Sequence, residues 1–222
     1  MTTVGFVGGG RIPAAVVRLS VAAGHRVLLS DPRGPQEVQD LVAELGPLAP
    51  AATVGQAAEA GDLVMVRVPL GDYPSVPVRP LAGKVVLDAC NYDPQRDGGI
   101  SDLEAGRATS SELLQRQLTQ SHVVKVFNNI VARHLVSLAR PRGAADRSAL
   151  PIAGDDGRAK ATVTAFLDSI GYDAVDAGPL AESWRQEPGT PVYRHPYGPD
   201  SDESGTPAGA EAIRAALAAA GS

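Results

Sequence analysis

The chain has 222 residues, of which 44% are hydrophobic, and a formal net charge of −5 at pH 7. This composition is typical of a globular α/β protein, and the acidic balance argues against a nucleic-acid-binding protein. The apolar runs are only strand-length, which argues against a membrane helix. We expect a cytoplasmic protein, because the first residues show no signal-peptide pattern. Cys90 is the only cysteine, so no intrachain disulfide forms, and the four histidines are too dispersed to predict a metal site.

The first predicted strand runs directly into a glycine-rich turn. An apolar segment at 3–7 is followed by the glycine triplet 8–10 and then by an apolar helix. Gly8 and Gly10 match the first two glycines of the dinucleotide-binding pattern, which permit a tight turn and close approach of the backbone to a pyrophosphate. Pro13 occupies the third position of the pattern, and proline is tolerated in a first helical turn. The segment therefore predicts a Rossmann-type nucleotide site, the alternative being an ordinary glycine turn.

Strands alternate with helices along the rest of the chain, which predicts a parallel sheet covered by helices on both faces. Strands are predicted at 3–7, 26–30, 51–54, 63–68, 84–88, 122–127, 149–153 and 173–176. Helices are predicted at 35–45, 56–60, 112–118, 157–170 and 211–220. The predicted fold class is α/β, a Rossmann-type doubly wound and mostly parallel sheet with a small C-terminal extension. Residues 1–145 are predicted to form the dinucleotide-binding domain and residues 146–222 an α/β extension on the same sheet, with an exposed loop at about 195–208.

Proline or asparagine follows three consecutive strands of the predicted sheet. Pro69 follows Val68, and Asn91 and Asn128 come shortly after the next two strands. Ligands of open α/β sheets bind outside the carboxyl ends of the strands. Asparagine offers both a donor and an acceptor, which suits ribose hydroxyls or a carboxamide. The alternative is that each asparagine is simply a turn residue.

Two charged residues after the second strand give opposite indications about the nucleotide. Asp31 suits a ribose 2′-hydroxyl and therefore NAD(H), whereas Arg33 suits the 2′-phosphate of NADP(H). No nucleophile–base pair is evident, and Ser110 and Ser111 are interpreted as the N-cap of the following helix. His134 follows the sixth predicted strand and is either a functional residue or a surface or core histidine.

These residues occur in segments that resemble the NADPH-dependent coenzyme F420 reductases, also called F420H2:NADP oxidoreductases. The resemblance extends over nearly the whole chain, to about Tyr193. It rests on Gly8–Gly10, Arg33–Pro35, Val68–Pro69, Asp88–Tyr92, Thr109–Glu112, Val124–Asn128, Leu150–Asp156, Ala177–Trp184 and Pro188–Tyr193.

The resemblance implies a homodimeric enzyme that passes hydride directly between nicotinamide C4 of NADPH and deazaflavin C5 of coenzyme F420. Such a reaction depends on the alignment of two rings and requires no protein acid, base or metal. By the resemblance, the pyrophosphate lies along Gly8, Gly10, Arg11 and Ile12, and Arg33 meets the 2′-phosphate. The nicotinamide lies near Val68, Pro69 and Asn91, and the second ring system near Asn128, His134 and Leu180, with His134 and Asn128 as positioning residues.

The chain differs from the family pattern at four positions. Pro13 replaces glycine, Asp31 replaces serine or asparagine, and Leu70 replaces tryptophan, while Arg67 adds a charge to a strand that should be buried. Two alternatives therefore stay open, an NAD(P)H-dependent reductase of another small acceptor, such as an imine or activated alkene, and a non-catalytic nucleotide-binding module.

Overall fold

A computed structural model describes residues 1–221, and its centre is one seven-stranded sheet. The strands follow the order β2-β1-β3-β4-β5-β6-β7 across the sheet. The first five strands are mutually parallel, β6 is antiparallel to β5, and β7 is parallel to β6. The predicted α/β, mostly parallel, doubly wound fold is thereby confirmed. The strands are β1 (Thr3–Gly8), β2 (Arg26–Leu28), β3 (Leu63–Arg67), β4 (Val85–Asp88), β5 (His122–Lys125), β6 (Ala149–Gly154) and β7 (Asp173–Asp176).

Helices connect the strands on both faces of the sheet. The α-helices are α1 (Arg11–Ala22), α2 (Gln39–Leu45), α3 (Val54–Ala60), α4 (Val78–Leu81), α5 (Pro94–Asp97), α6 (Ser101–Glu104), α7 (Ser110–Gln117), α8 (Ala132–Ser137), α9 (Gly157–Ser169) and α10 (Ala210–Ala219). Short 3₁₀ helices span Pro35–Val38, Gly46–Leu48, Leu70–Ser75, Leu180–Gln186 and His195–Tyr197. Across residues 1–221, no helix has the length and apolar character needed to cross a membrane.

The position of each strand in the sheet explains its sequence. In β3, Val64, Met65 and Val66 are all buried, because helices cover both faces of this central strand. Strands β1 and β3 are neighbours although β2 lies between them in sequence, so the chain changes direction across the sheet at this point. The carboxyl ends of parallel strands form a crevice at such a switch point.

The strand predicted at 51–54 is wrong. Ala51 makes only an isolated bridge with Leu29. Thr53 instead caps α3, because its hydroxyl accepts a hydrogen bond from the Gln56 amide while the Gln56 side chain accepts one from the Thr53 amide. This reciprocal pair satisfies amides that a helix start leaves free, so the segment begins a helix rather than extending the sheet.

Two further local predictions require correction. Thr109, rather than Ser110 or Ser111, is the N-cap of α7, in a capping box with Glu112. The loop at 195–208 is not wholly exposed, since Tyr197 and Ala208 are buried. The Tyr197 hydroxyl donates to the Ala149 carbonyl at the start of β6, which anchors the segment to the sheet. The predicted division at residues 145/146 remains a prediction, and Ser222 lies outside the described residues.

Candidate functional site

Two cavities adjoin at the carboxyl ends of β1, β3, β4 and β5. The glycine-turn cleft has a volume of about 490 Å³ and the arginine cavity about 520 Å³. They share Arg11, Ile12 and Arg67, so they form neighbouring parts of one crevice. The glycine-turn cleft is lined by Gly8–Pro13, Asp31–Arg33, Arg67–Pro69 and Asp72. The arginine cavity is lined by Arg11, Ile12, Arg67, Ala89, Asn91, Phe127, Asn128, Ile130–Arg133, Tyr193, Arg194 and Asp200.

The glycine turn brings backbone close to two neighbouring elements. A Cβ atom on Gly8 would lie 2.0 Å from the Arg67 carbonyl oxygen, and one on Gly9 would lie 2.4 Å from Asp31 Oδ2. Gly10 precedes α1 with a φ of +107°, and a Cβ built there meets no atom within 4 Å. Gly8 therefore needs glycine, because the Arg67 backbone approaches it closely, whereas a side chain at Gly9 would displace only the Asp31 carboxylate. Gly10 borders open space at the start of a helix. Free amides and the helix dipole make such a place suited to a phosphate group.

Asp31 and Arg33 are paired with each other. The Asp31 carboxylate accepts hydrogen bonds from the Arg33 backbone amide at 2.9 Å and from Arg33 Nε at 3.0 Å. These contacts with the Arg33 guanidinium lower the pKa of the Asp31 carboxyl. Arg33 also meets Glu37 at 2.9 Å, yet its side chain remains 71% exposed. The two residues that gave opposite predictions thus share one corner of the cleft, with the arginine accessible from solvent.

Asn91 and Asn128 join the ends of β4 and β5. Asn91 Nδ2 donates to the Asn128 carbonyl at 2.9 Å, and Asn128 Nδ2 donates to Asn91 Oδ1 at 2.9 Å and to the Gln186 carbonyl at 2.8 Å. Both residues line the arginine cavity. Among the described residues, the buried Asn128 Oδ1 atom has no hydrogen-bond partner. The pair therefore has a structural role and also keeps one acceptor available for a donor such as a carboxamide.

Backbone strain is concentrated at the arginine cavity. Phe127 (φ +68°) and Arg194 (φ +67°) are the non-glycine residues with positive φ in the described part of the chain, and both line this cavity. The Arg194 amide donates to the Asn129 carbonyl at 2.8 Å, which links the two strained turns. Such conformations cost about 1–3 kcal/mol each and are typical of functional sites.

A buried charged network supports the wall of this cavity. Lys125 and Asp88 are register partners on β5 and β4, with their charged atoms 3.8 Å apart. Lys125 Nζ donates to the Ser110 hydroxyl at 2.7 Å and to the Cys90 carbonyl at 3.1 Å. It also lies 3.7 Å from a carboxylate oxygen of Glu187. Lys125 thereby connects three segments: the residues that follow β4, the start of α7 and the segment after Gln186.

The serines at the start of α7 belong to the same network. The Ser111 hydroxyl donates to Asp88 Oδ2 at 2.6 Å, and Ser110 donates to Glu187. The Asp88 carboxylate also accepts the Cys90 amide at 2.9 Å. Burial, together with the Asp88 charge, raises the pKa of the Cys90 thiol to about 12, so this cysteine is not a nucleophile. The sequence analysis did not predict this network. One signal for it was present, because Asp88 and Lys125 carry opposite charges near the ends of two consecutive predicted strands.

The structure brings most of the predicted site residues to the crevice. Those lining one or both cavities are Gly8, Gly10, Arg11, Ile12, Asp31, Arg33, Val68, Pro69, Asn91 and Asn128. Leu180 lines neither, because its side chain is fully buried in the apolar cluster that includes Val66 and Leu114. His134 also lies outside both cavities, since it is buried and its Nε2 contacts the Asp202 carbonyl at 2.6 Å.

The residues that sequence reasoning missed come mostly from far along the chain. Arg133, Tyr193, Arg194 and Asp200 complete the arginine cavity. Tyr193 ended the last segment of the resemblance, but no sequence pattern connected Arg194 or Asp200 with residues of the first strands. Tyr92, the last residue of the segment Asp88–Tyr92, donates from its hydroxyl to the Gly98 carbonyl at 3.0 Å and accepts the Ile100 amide at 3.1 Å.

The doubly wound sheet, with a glycine turn opening into a crevice at its switch point, defines a Rossmann-type nucleotide-binding protein. Residues 3–92 match the model of the family described as "NADP oxidoreductase coenzyme F420-dependent". This match confirms the resemblance predicted from the sequence and supports NAD(P)-dependent oxidoreduction as the general activity.

Known proteins similar to this chain include one sequence relative and several solved structures. The Escherichia coli (strain K12) protein YjhV is 42% identical over 53 residues, which are 24% of this chain and 39% of YjhV, so the match spans less than half of that relative. The hypothetical protein SMa0349 of Sinorhizobium meliloti has 27% identity and a TM-score of 0.74, covering 86% of this chain and 93% of its own.

A presumed F420-dependent NADP reductase from Arthrobacter sp. FB24 has 22% identity and a TM-score of 0.66, covering 82% and 87% of the two chains. The 3-hydroxyisobutyrate dehydrogenase of Mycobacterium tuberculosis has 14% identity and a TM-score of 0.60, covering 82% and 56%. At these identities the two structures establish the shared fold and nothing about the substrate.

Proposed function

We propose that the protein transfers hydride between NADPH and coenzyme F420. The family match over residues 3–92 and the sequence resemblance as far as Tyr193 support this reaction. When bound, NADPH supplies the hydride; with one solvent proton, F420 becomes F420H2 and NADPH becomes NADP⁺. The protein residues then have to bind, orient and shield the two rings.

The observation that carries the proposal is that the two cavities adjoin. The glycine-turn cleft offers a helix start and open space at Gly10 for the pyrophosphate. The arginine cavity continues from it past the shared residues Arg11, Ile12 and Arg67. A donor in the first and an acceptor in the second would lie side by side, which is the arrangement that direct transfer requires. In this proposal, Val68, Pro69 and Asn91 border the nicotinamide, and Asn128 provides an acceptor at its Oδ1 atom.

We propose NADP(H) rather than NAD(H) as the nucleotide. The family description and the exposed Arg33 guanidinium support NADP(H), because an arginine recognises a 2′-phosphate through charge-assisted hydrogen bonds. The Asp31 carboxylate already accepts three hydrogen bonds from Arg33 and would repel the phosphate. We therefore expect discrimination between the nucleotides to be modest.

A second candidate is the NAD(P)H-dependent reduction of another small acceptor, such as an imine. Two positions favour it, since Arg67 places a charge beside both cavities and Leu70 is fully buried where the family has an aromatic ring. Imine reduction would consume a proton as well as the hydride.

The test is to mix the protein with NADPH and F420 and to follow the visible absorbance of F420. The proposed function predicts bleaching of that band, with a rate that does not follow a titrating protein group. A parallel reaction with a cyclic imine, followed by NADPH consumption across pH, tests the second candidate. Imine turnover without F420 bleaching would replace the first function by the second. NADPH binding without turnover of either acceptor would indicate a non-catalytic nucleotide-binding module.

We also propose that the protein acts as a homodimer in the cytoplasm, as the family resemblance implies. Light scattering during size-exclusion chromatography measures the assembly directly. A mass close to that of one 22.8 kDa chain would contradict the dimer.

A further inference from the structure

We propose that Arg67 determines acceptor specificity by binding an anionic group, a carboxylate or a phosphate, carried by the molecule in the arginine cavity. This inference rests on the proposed function, because it treats the arginine cavity as the acceptor side of the crevice. It concerns a residue that this chain has in place of a small one in the family pattern.

Arg67 stands where the two cavities meet. It is the last residue of β3 and the register partner of Gly8 on β1, so it directly borders the glycine turn. It lines both cavities, whereas the preceding residue Val66 is fully buried. A charged side chain at the end of such a buried strand has an energetic cost unless it gains a partner.

The structure provides Arg67 with no such partner among residues 1–221. None of the hydrogen bonds or ion pairs of the described chain involves its guanidinium group, although its side chain is partly buried. Arg194, by contrast, pairs with Asp200 at 2.6 Å, and Arg133 donates from Nε to the Asp202 carbonyl at 3.0 Å. Arg67 is therefore a partly desolvated cation that faces the cavity with its donors free.

The charge of the cavity points to the same ligand chemistry. Four arginines and one aspartate line it, which gives the lining a formal charge of +3, while the whole chain has −5. Cationic walls in a concave site concentrate anions and favour their binding. Arg11 also lines both cavities, but it is exposed at the start of α1 and can serve the pyrophosphate. Arg67 is the partly buried arginine that is left to meet the acceptor.

The planar guanidinium binds a carboxylate or a phosphate through two parallel hydrogen bonds. The cavity volume of about 520 Å³ is suited to a small molecule. The acceptor is therefore expected to carry its reducible group next to the nicotinamide and its anionic group against Arg67. Neutral acceptors of the same shape should bind less tightly, since they leave the guanidinium without a partner.

The test is a binding experiment with three one-ring probes: benzoate, phenyl phosphate and the neutral benzamide. Each is titrated by calorimetry into protein saturated with NADP⁺, and again into protein without nucleotide. We expect the tighter of the two anions to bind at least about tenfold better than benzamide, as a charge-assisted hydrogen bond implies. A preference for phenyl phosphate assigns a phosphate-bearing acceptor, and a preference for benzoate a carboxylate-bearing one.

The variants are Arg67→Leu, Arg67→Lys and, as a matched control with the same loss of charge, Arg79→Leu, since Arg79 is exposed and lines neither cavity. Arg67→Leu should abolish the preference for the anions, Arg67→Lys should restore part of it, and Arg79→Leu should keep it. Because Arg67 also lines the glycine-turn cleft, Arg67→Leu should weaken NADP⁺ binding too, but by a smaller factor than it weakens binding of the anions.

Three results would overturn the inference: equal binding of anions and benzamide, an unchanged preference in Arg67→Leu, or a loss of NADP⁺ affinity in Arg67→Leu as large as the loss for the anions. Failure of the proposed function has a different signature, namely wild-type protein that does not bind NADP⁺. In that case the titrations without nucleotide still decide whether Arg67 selects anions.

Discussion

The two halves of the crevice are built in different ways. The glycine-turn cleft comes mainly from contiguous residues at the ends of β1 and β3, and residues 3–92 that match the family contain all of it. The arginine cavity combines residues that are as far apart in sequence as Arg11 and Asp200, and it has backbone strain at Phe127 and Arg194. The first half thus follows from a local motif, whereas the second depends on tertiary packing around a buried charged network.

The substitution with the largest expected effect is Lys125→Met, which removes the cation at the centre of the buried network. Asp88 and Glu187 then lose their shared positive partner, and Asp88 is completely buried. Breaking a buried ion pair from one side typically costs about 3–5 kcal/mol, so we expect a loss of that size in the free energy of unfolding, measured with urea.

Lys160→Met is the matched control. Lys160 pairs with Asp176, whose side chain is 57% exposed, so the same substitution should cost only about 0.2–1 kcal/mol. Equal effects of the two substitutions would mean that the network does not hold the arginine cavity together.

The glycine-turn cleft can be tested with two glycines of similar conformation. Gly10 (φ +107°) and Gly24 (φ +80°) would both place a Cβ in open space, but only Gly10 lines the cleft. Alanine should strain either site by about 1–3 kcal/mol. Gly10→Ala should in addition weaken NADPH binding at least about tenfold, because backbone contacts to a charged group are lost.

Binding of NADPH is measured by titration, and Gly24→Ala should keep the wild-type affinity. If both variants lost NADPH affinity, the loss would come from backbone strain and not from lost contacts at the cleft. The glycine turn would then not explain nucleotide binding.

A third test uses pH to measure the burial of the network around Cys90. Its thiol pKa is raised from 9.0 to about 12 by burial and by the Asp88 charge. A raised pKa means that the unfolded state loses the thiol proton first. The resulting stability is complete below pH 9 and decreases as the pH rises from 9 towards about 12.

Urea unfolding across this range should show the decrease, and Cys90→Ala should reduce its slope. The buried Tyr172 and Tyr197, whose pKa values are also raised by burial, contribute in the same direction and remain in the variant. Identical slopes in the two proteins would show that the thiol is not buried in solution.

The smallest expected effect is at the exposed corner of the cleft. Arg33→Ala should raise the KM for NADPH by about twofold to fivefold, the scale of an exposed charge pair. The KM for NADH should remain nearly unchanged, because NADH has no 2′-phosphate. Asp31→Asn provides the opposite change and should lower the KM for NADPH, since it removes a repulsive charge and releases Arg33. Equal effects on both nucleotides would show that Arg33 does not bind the phosphate.

The sequence by itself determined the parallel sheet and the glycine turn, because both depend on local patterns. Alternating strands and helices predicted seven of the strands, and the triplet Gly8–Gly10 marked the turn. Apolar periodicity and glycine turns depend on residues that are close together in the sequence. The strands and the glycine turn could therefore be predicted without knowing the contacts of distant residues.

Only the tertiary structure decided which polar residues act together. The sequence predicts a strand residue at Lys125 and a helix cap at Ser110, and the structure brings both into one network with Asp88 and Glu187. The resemblance places His134 and Leu180 near the second ring, but both are buried outside the two cavities. The Asp202 carbonyl contacts His134, and Leu180 packs in the apolar cluster with Val66. The net positive charge of the arginine cavity likewise arises because arginines that are far apart in the sequence meet in the folded chain. Coulomb and hydrogen-bond energies depend on distance in space, which sequence spacing does not specify beyond a few residues.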